Sequence, residues 1–107
     1  MEQYKIKKVK DSNFDILASY HNEFDEDAIS FLQKEVNQSV SQAYKYNTSM
    51  DYFSLKQRLL YSLDEISAPY IKKQAHNAVQ TDYFHEIYYK HSKLLVDAAI
   101  KPLFNAE

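Results

Sequence analysis

The chain has 107 residues, of which 45% are apolar and 26% charged, and its formal net charge is −2. These values are typical of one globular domain and exclude intrinsic disorder, and no apolar run approaches the roughly 18 residues of a membrane span. The chain contains no cysteine and no glycine. It therefore lacks the residues for disulfides, thiolate catalysis, cysteine-bound zinc and glycine-rich phosphate loops, and hairpin-rich β structure is disfavoured.

The first eleven residues are expected to form a tail or a short extended segment. They carry one basic cluster, and no apolar stretch follows it, so we do not expect a secretory signal. Together with the missing cysteines, this predicts a cytoplasmic protein. Nucleic-acid binding through the cluster is a weaker alternative, because Arg58 is the only arginine and such sites usually use several. The cluster consists of Lys5, Lys7, Lys8 and Lys10.

From residue 12 onward, apolar residues recur at helical spacing. The pattern predicts an all-α fold in which residues 1–107 form a single domain, a compact bundle of four to five amphipathic helices. Ser12 and Asp15 resemble a capping box at the start of the first helix. The acidic run Asp25-Glu26-Asp27 is favourable beside the positive end of a helix dipole, so it predicts the start of a second helix, which runs to about Tyr46.

The remaining helix boundaries are predicted from caps and prolines. Thr48 and Asp51 resemble a second capping box and predict the start of a third helix. Pro69 is expected to end that helix and to begin a shorter one, since proline fits a first helical turn better than an interior. The last helix is expected to open at Thr81-Asp82 and to stop at Lys101-Pro102, followed by a C-terminal tail of residues 103–107.

The last predicted helix is apolar on two sides. Its main stripe is predicted to face the core and consists of Phe84, Ile87, His91, Leu94 and Ala98. Tyr89, Val96 and Ile100 fall on the opposite side. A helix that is apolar on two faces is either sandwiched in the core or covered by an outer partner. We interpret it first as sandwiched, and a contact with a second copy or another protein is the alternative.

The histidines give little support to an enzyme. Their spacing matches no zinc-protease motif, and no serine is marked as a nucleophile by a neighbouring base. We therefore predict no catalytic residue, no cofactor and no metal. A metal site from His76, Asp82 and His85 is a weak alternative. His91 lies on the core stripe, where a hydrogen-bonded structural histidine is the favoured interpretation.

Surface character then gives the functional hypothesis, a small non-enzymatic protein-binding module such as a bacterial or phage-like regulator, inhibitor, immunity protein or adaptor. An acidic surface would steer it to another protein with a basic surface, and tyrosines would anchor the contact, since interface hot spots are enriched in tyrosine. A bundle that binds a small ligand or metal and a structural homo-oligomer built on the last helix are the alternatives. The predicted contact residues are Glu23, Asp25, Glu26, Asp27, Tyr83, Tyr89, Val96 and Ile100.

Overall fold

The computed structural model describes residues 18–104, with side chains from residue 23 onward. In this range the chain forms three helices, α1 (Ala18–Tyr46), α2 (Tyr52–Gln74) and α3 (Ala78–Phe104), and no strand. The all-α prediction is confirmed, but the expected four to five helices are three longer ones. Predictions for the tail, the lysine cluster, the Ser12 capping box and residues 105–107 lie outside the described residues.

Helix α1 runs without a break through the acidic run, so the predicted helix start at residues 25–27 is wrong. The reason lies in the packing of this part of α1. Phe24 and Ala28 are fully buried, and Asp25 between them is only 2% exposed. Tertiary contacts on this face hold the helix together where the local charge pattern favours a new helix end.

Asn47 ends α1 in the way that glycine ends many helices. It has a left-handed backbone with φ of 53°. The amide of Thr48 donates to the carbonyl of Ala43 at 3.0 Å, and the amide of Asn47 donates to that of Tyr44 at 3.3 Å. This is the bonding pattern of a Schellman motif, and asparagine is the non-glycine residue that adopts the conformation most readily.

Side-chain caps start the other two helices, each at a position that differs from the prediction. Asp51 is itself the cap of α2, since its carboxylate accepts a hydrogen bond from the Ser54 amide at 2.8 Å. Hydrogen bonds from Ser54 hold the pKa of the Asp51 carboxyl below its usual value. Asn77 caps α3 by accepting from the Gln80 amide at 2.8 Å, so α3 begins three residues before the predicted Thr81.

Neither proline stops a helix. Pro69 lies inside α2 and Pro102 lies inside the last turn of α3, which continues to Phe104. The predicted new helix at Pro69 and the predicted stop at Lys101-Pro102 are therefore wrong. Pro69 is exposed, so its ring lies in solvent, while Ser67 and Ile71 on either side of it are buried and fix this part of α2 in the bundle.

Replacing Pro69 with alanine is expected to raise the free energy of unfolding by about 2 kcal/mol. Alanine restores the amide donor toward the carbonyl of Glu65 and removes the ring clash, and a gain of about 3 kcal/mol in helix propensity is partly offset by a more flexible unfolded chain. Urea unfolding followed by circular dichroism measures the change. Pro102→Ala is the comparison and should gain less, because terminal turns fray. A decrease in stability in Pro69→Ala would contradict a continuous α2.

The core lies along the line where the three helices meet. Leu32 and Val36 of α1 and Leu59 and Leu63 of α2 are fully buried there. Helix α3 packs against both other helices, so its buried positions differ from the inner and outer faces that the sequence predicts. Val96 and Ile100 are 0% exposed, whereas Leu94 from the predicted inner stripe is 41% exposed. Val96 and Ile100 are therefore core residues, so the interpretation of this face as sandwiched is confirmed for them, and their listing as contact residues is corrected.

Candidate functional site

A buried polar pair connects α1 and α3. Nε2 of His91 and Oδ1 of Asp25 are 2.7 Å apart, and the two side chains are 0% and 2% exposed. The prediction of a hydrogen-bonded core histidine is confirmed for His91. Asp25, in contrast, is predicted to lie on the acidic surface that steers a partner, but the structure places it in the core. A carboxylate in this position fixes how α1 is set against α3, and it reaches neither solvent nor a partner protein.

A cluster of aromatic rings lies beside this pair near the start of α1, with the ring centroid of Phe24 6.3 Å from that of His91. The ring of Phe24 lies edge-on to those of Tyr88 and Tyr70, at centroid distances of 4.9 and 5.8 Å. The amide of Gln74 donates to the hydroxyl of Tyr88 at 2.7 Å. The hydroxyl of Tyr70 donates to the carboxylate of Asp27. These contacts join all three helices at one end of the bundle.

Tyr70 is expected to ionise unusually late. Burial, and then the hydrogen bond to Asp27, raise the pKa of Tyr70 from 10.0 to about 12. The unfolded chain therefore loses this proton first as the pH rises. The contribution to stability is complete below pH 10 and disappears between pH 10 and about 12. A difference ultraviolet titration of the wild type against Tyr70→Phe measures it, and a difference curve centred at the ordinary tyrosine pKa would contradict the contact.

Three carboxylates remain exposed at the start of α1, those of Glu23, Glu26 and Asp27, and we call them the acidic patch. They are three of the four residues predicted to steer a partner. Asp27 also accepts the Tyr70 hydrogen bond, so Glu23 and Glu26 are the members that can be neutralised without disturbing that contact.

Helices α2 and α3 form a long groove on the surface, which we call the α2–α3 groove. It consists of two adjoining hollows of about 230 and 300 Å³. Between them, Nε2 of His85 lies 2.7 Å from Oδ1 of Asp64, and both side chains are about half exposed. Leu60 and the exposed Tyr61 and Tyr89 line the first hollow with Gln57. The second hollow adds Ala68, Ile71, Lys72, Ala75 and Thr81.

The described residues of α1 line neither hollow. Helix α1 reaches the other side of the α2–α3 pair, where Asp25 contacts His91 and Asp27 contacts Tyr70. In a bundle of helices, a pair of antiparallel helices offers two grooves, one on each side. Among the described residues, α1 fills one of them, and the α2–α3 groove is the other.

The structure divides the predicted tyrosine anchors. Tyr89 lines the α2–α3 groove and is 42% exposed, with the Lys93 ammonium 5.6 Å from its ring centroid. Tyr83 is 49% exposed but lines neither hollow, and its ring contacts Phe84. Tyr61, which lines the first hollow beside Tyr89, is 67% exposed. Sequence reasoning misses the combination of Tyr61 with Asp64 and His85, because residues 64 and 85 meet only when α2 folds back along α3.

A third hollow, of about 290 Å³, lies where α1 turns into α2. Arg58 donates to the hydroxyl of Ser39 at 2.9 Å beside it. Nearby on α2, the raised pKa of Lys56 results mainly from its hydrogen bond to Asp97. These contacts brace the helices at this end of the bundle.

Among residues 23–104, no group of three histidine, aspartate or glutamate side chains is placed to hold a metal ion. None of the helices in the described part of the chain is long and apolar enough to cross a bilayer. The chain matches no protein-family model, no curated protein and no solved structure. The α2–α3 groove and the acidic patch are therefore interpreted from their chemistry.

Proposed function

We propose that this protein is a non-enzymatic protein-binding module, a small regulator, inhibitor or adaptor that acts by covering a site on another protein. The observation that carries the proposal is the α2–α3 groove, in which two exposed tyrosines lie beside a half-exposed acid–base pair. Tyrosine offers a large apolar ring with a polar tip and loses little entropy on binding, which makes it a frequent anchor in interfaces. Asp64 and His85 beside the rings add directional hydrogen bonds.

The dimensions of the groove favour a protein as its occupant. Gln57 and Lys72 lie fifteen residues apart on α2, which corresponds to about 22 Å of helix. The two hollows are open to solvent on one side and share Asp64 and His85 in their lining. An elongated surface of this kind suits a helix or an extended segment that inserts side chains at intervals, whereas a small ligand is usually enclosed on most sides.

The acidic patch supplies the electrostatic part of the proposal. Glu23 and Glu26 are exposed and belong to the same end of the bundle as the second hollow, since α1 contacts Tyr70 and Tyr88 there. Exposed carboxylates attract a basic partner over a distance of about 10 Å at moderate salt and act mainly on the association rate. They would steer the encounter, and the groove would hold the complex.

Affinity capture with immobilised protein tests the proposal. A partner retained by the wild type should no longer be retained by Tyr89→Ala, which removes an anchor from the groove. Tyr44→Ala is the matched control, because Tyr44 is 84% exposed at the opposite end of α1. Equal capture by both variants would contradict the groove as the contact surface.

The acidic patch is tested separately by the kinetics of binding to the captured partner. Glu23→Gln combined with Glu26→Gln should slow association by about tenfold at low salt and leave dissociation nearly unchanged. An association rate that changes neither with these substitutions nor with the salt concentration would contradict the steering role.

A further inference from the structure

We propose that the α2–α3 groove binds a second copy of this chain, so that two α2–α3 pairs form a four-helix bundle at the centre of a homodimer. The inference rests on the proposed function, because it names the protein that occupies the groove. It is carried by the arrangement of side chains along the groove, which is complementary to itself.

The contact between Asp64 and His85 places these two residues at the same height along the two helices. We call residues of α2 and α3 at one height a level. Helices α2 and α3 are antiparallel, so moving back along α2 corresponds to moving forward along α3. Tyr61 lies three residues before Asp64, and Tyr89 lies four residues after His85, so the two tyrosines share a level and line the same hollow.

The same relation holds on the other side of the acid–base pair. Ala68 lies four residues after Asp64, and Thr81 lies four residues before His85. Both line the second hollow. The groove therefore consists of an aromatic level, a charged level and a level of small side chains, each with one member from α2 and one from α3.

A two-fold axis parallel to the helices would place α2 of one copy against α3 of the other. Each level then faces the same level of the second copy, with the residue from α2 of one copy opposite the residue from α3 of the other. Asp64 of each copy faces His85 of the other, Tyr61 faces Tyr89, and the small Ala68 and Thr81 let the helices approach closely. An isologous interface needs this kind of self-complementarity. Opposite groups sit on different helices at one level, so no like pair is forced together at the charged level.

The helix directions also fit. In this arrangement α2 has two antiparallel neighbours, α3 of its own copy and α3 of the second copy, as in an up-down-up-down bundle. At the rim, Glu65 comes near the level of Glu86 of the other copy. The charge of Glu86 is balanced within its own helix, because Lys90 lies 3.1 Å from its carboxylate.

The size of the groove sets the expected strength of the dimer. A face about 22 Å long and two helices wide, about 20 Å, gives a total buried area on the order of 1,000 Å². That area is at the lower limit of specific interfaces. We therefore expect a dimer that dissociates at micromolar concentrations, so that the groove of the dissociated chain is open to the proposed partner protein.

Sedimentation velocity across a range of concentrations, with charge variants of the groove, tests the dimer. Wild-type protein should shift from monomer to dimer. His85→Asp would set carboxylates against carboxylates, and Asp64→Lys would set an ammonium against a histidine, so each variant alone should weaken the dimer at least about tenfold. An equimolar mixture of the two should form a heterodimer, because each acidic site of one variant then meets a basic site of the other.

Controls separate the dimer from general effects of substitution. His76→Asp makes the same exchange at an exposed histidine outside the two hollows and should leave the dimer intact. Tyr61→Ala should weaken the dimer without changing any charge. Circular dichroism checks that every variant is folded, which is expected because the replaced side chains are about half exposed or more.

Two results would overturn the inference. They are a wild-type protein that stays monomeric at all concentrations, and a mixture of the two charge variants that fails to recover the dimer. If the protein is monomeric and Tyr89→Ala still abolishes capture of another protein, the second copy is excluded and the proposed function stands. If neither self-association nor capture depends on the groove, both proposals fail.

Discussion

Replacing Asp25 with alanine is expected to lower the free energy of unfolding by about 3–5 kcal/mol. Asp25 and His91 are buried together at 2.7 Å. Removing the carboxylate takes this hydrogen bond away from an imidazole that stays in an apolar interior, and this change costs much more than the pair contributes. Urea unfolding measures the change. Because the expected decrease is a large part of the stability of a small domain, partial unfolding at room temperature is also expected.

Two further variants decide whether the destabilisation arises from the pair. Glu26→Ala is the matched control, an exposed carboxylate on the next residue of the same helix, and should change stability by less than about 0.5 kcal/mol. Asp25→Leu combined with His91→Leu removes both polar groups and should be nearly as stable as the wild type. Equal destabilisation in Asp25→Ala and Glu26→Ala would show that Asp25 is not buried against His91.

Replacing Val96 with glutamate is expected to unfold the protein. Val96 is 0% exposed in the centre of the bundle, and an unpaired charge there costs several kcal/mol. Val96→Ala is the milder variant and should cost about 2 kcal/mol through the cavity that it leaves. The helical circular dichroism signal and the thermal midpoint report both changes.

Leu94→Glu is the control on the same helix. Leu94 is 41% exposed, so its replacement should cost less than about 1 kcal/mol. The pair of variants tests which face of α3 points inward, since the sequence assigns Leu94 to the main core stripe and leaves Val96 on the second apolar face, with an outer contact as the alternative. A folded Val96→Glu protein, or an unfolded Leu94→Glu protein, would contradict the orientation of α3.

The helical fold and much of its core could be predicted from the sequence. The stripe of Leu55, Leu59 and Leu63 has a spacing that only a helix places on one face, and these residues are buried. His91 is correctly assigned to the core because its neighbours at helical spacing are apolar. Patterns of this kind depend on one helix at a time, which is why they can be read along the chain.

The end of α1 at Tyr46 agrees with the sequence prediction, whereas the helix boundaries predicted at the acidic run and at Pro69 are wrong, because tertiary contacts outweigh local preferences there. The acidic run resembles a helix start in the local sequence, whereas in the structure Asp25 pairs with His91, which lies 66 residues away. Pro69 is unfavourable inside a helix by its local preference, but Ser67 and Ile71 on either side of it are buried and hold this part of α2 in the bundle. At both places, two short predicted helices are one longer helix in the structure. Asn47 takes the left-handed role that glycine usually has.

The α2–α3 groove could not be predicted for a related reason. The sequence predicts Tyr89 as a contact residue, but it does not show that Tyr61 and Tyr89 line one hollow. Nor does it show that Asp64 and His85, separated by most of a helix hairpin, form the acid–base pair between two hollows. Pairing across two antiparallel helices depends on their relative level, and that level is set by the turn at residues 75–77 and the cap at Asn77.

The central claim is that the α2–α3 groove is a protein-binding surface, and site-specific photo-crosslinking tests it most directly. A photoreactive amino acid is introduced at Tyr61 in the groove and, in a separate protein, at Tyr44 at the far end of the bundle, and both are irradiated in the cells that make the protein. We predict a discrete crosslinked protein from position 61 and none from position 44, with twice the mass of the chain if the partner is a second copy. No crosslink at position 61, or the same products from both positions, would contradict the account.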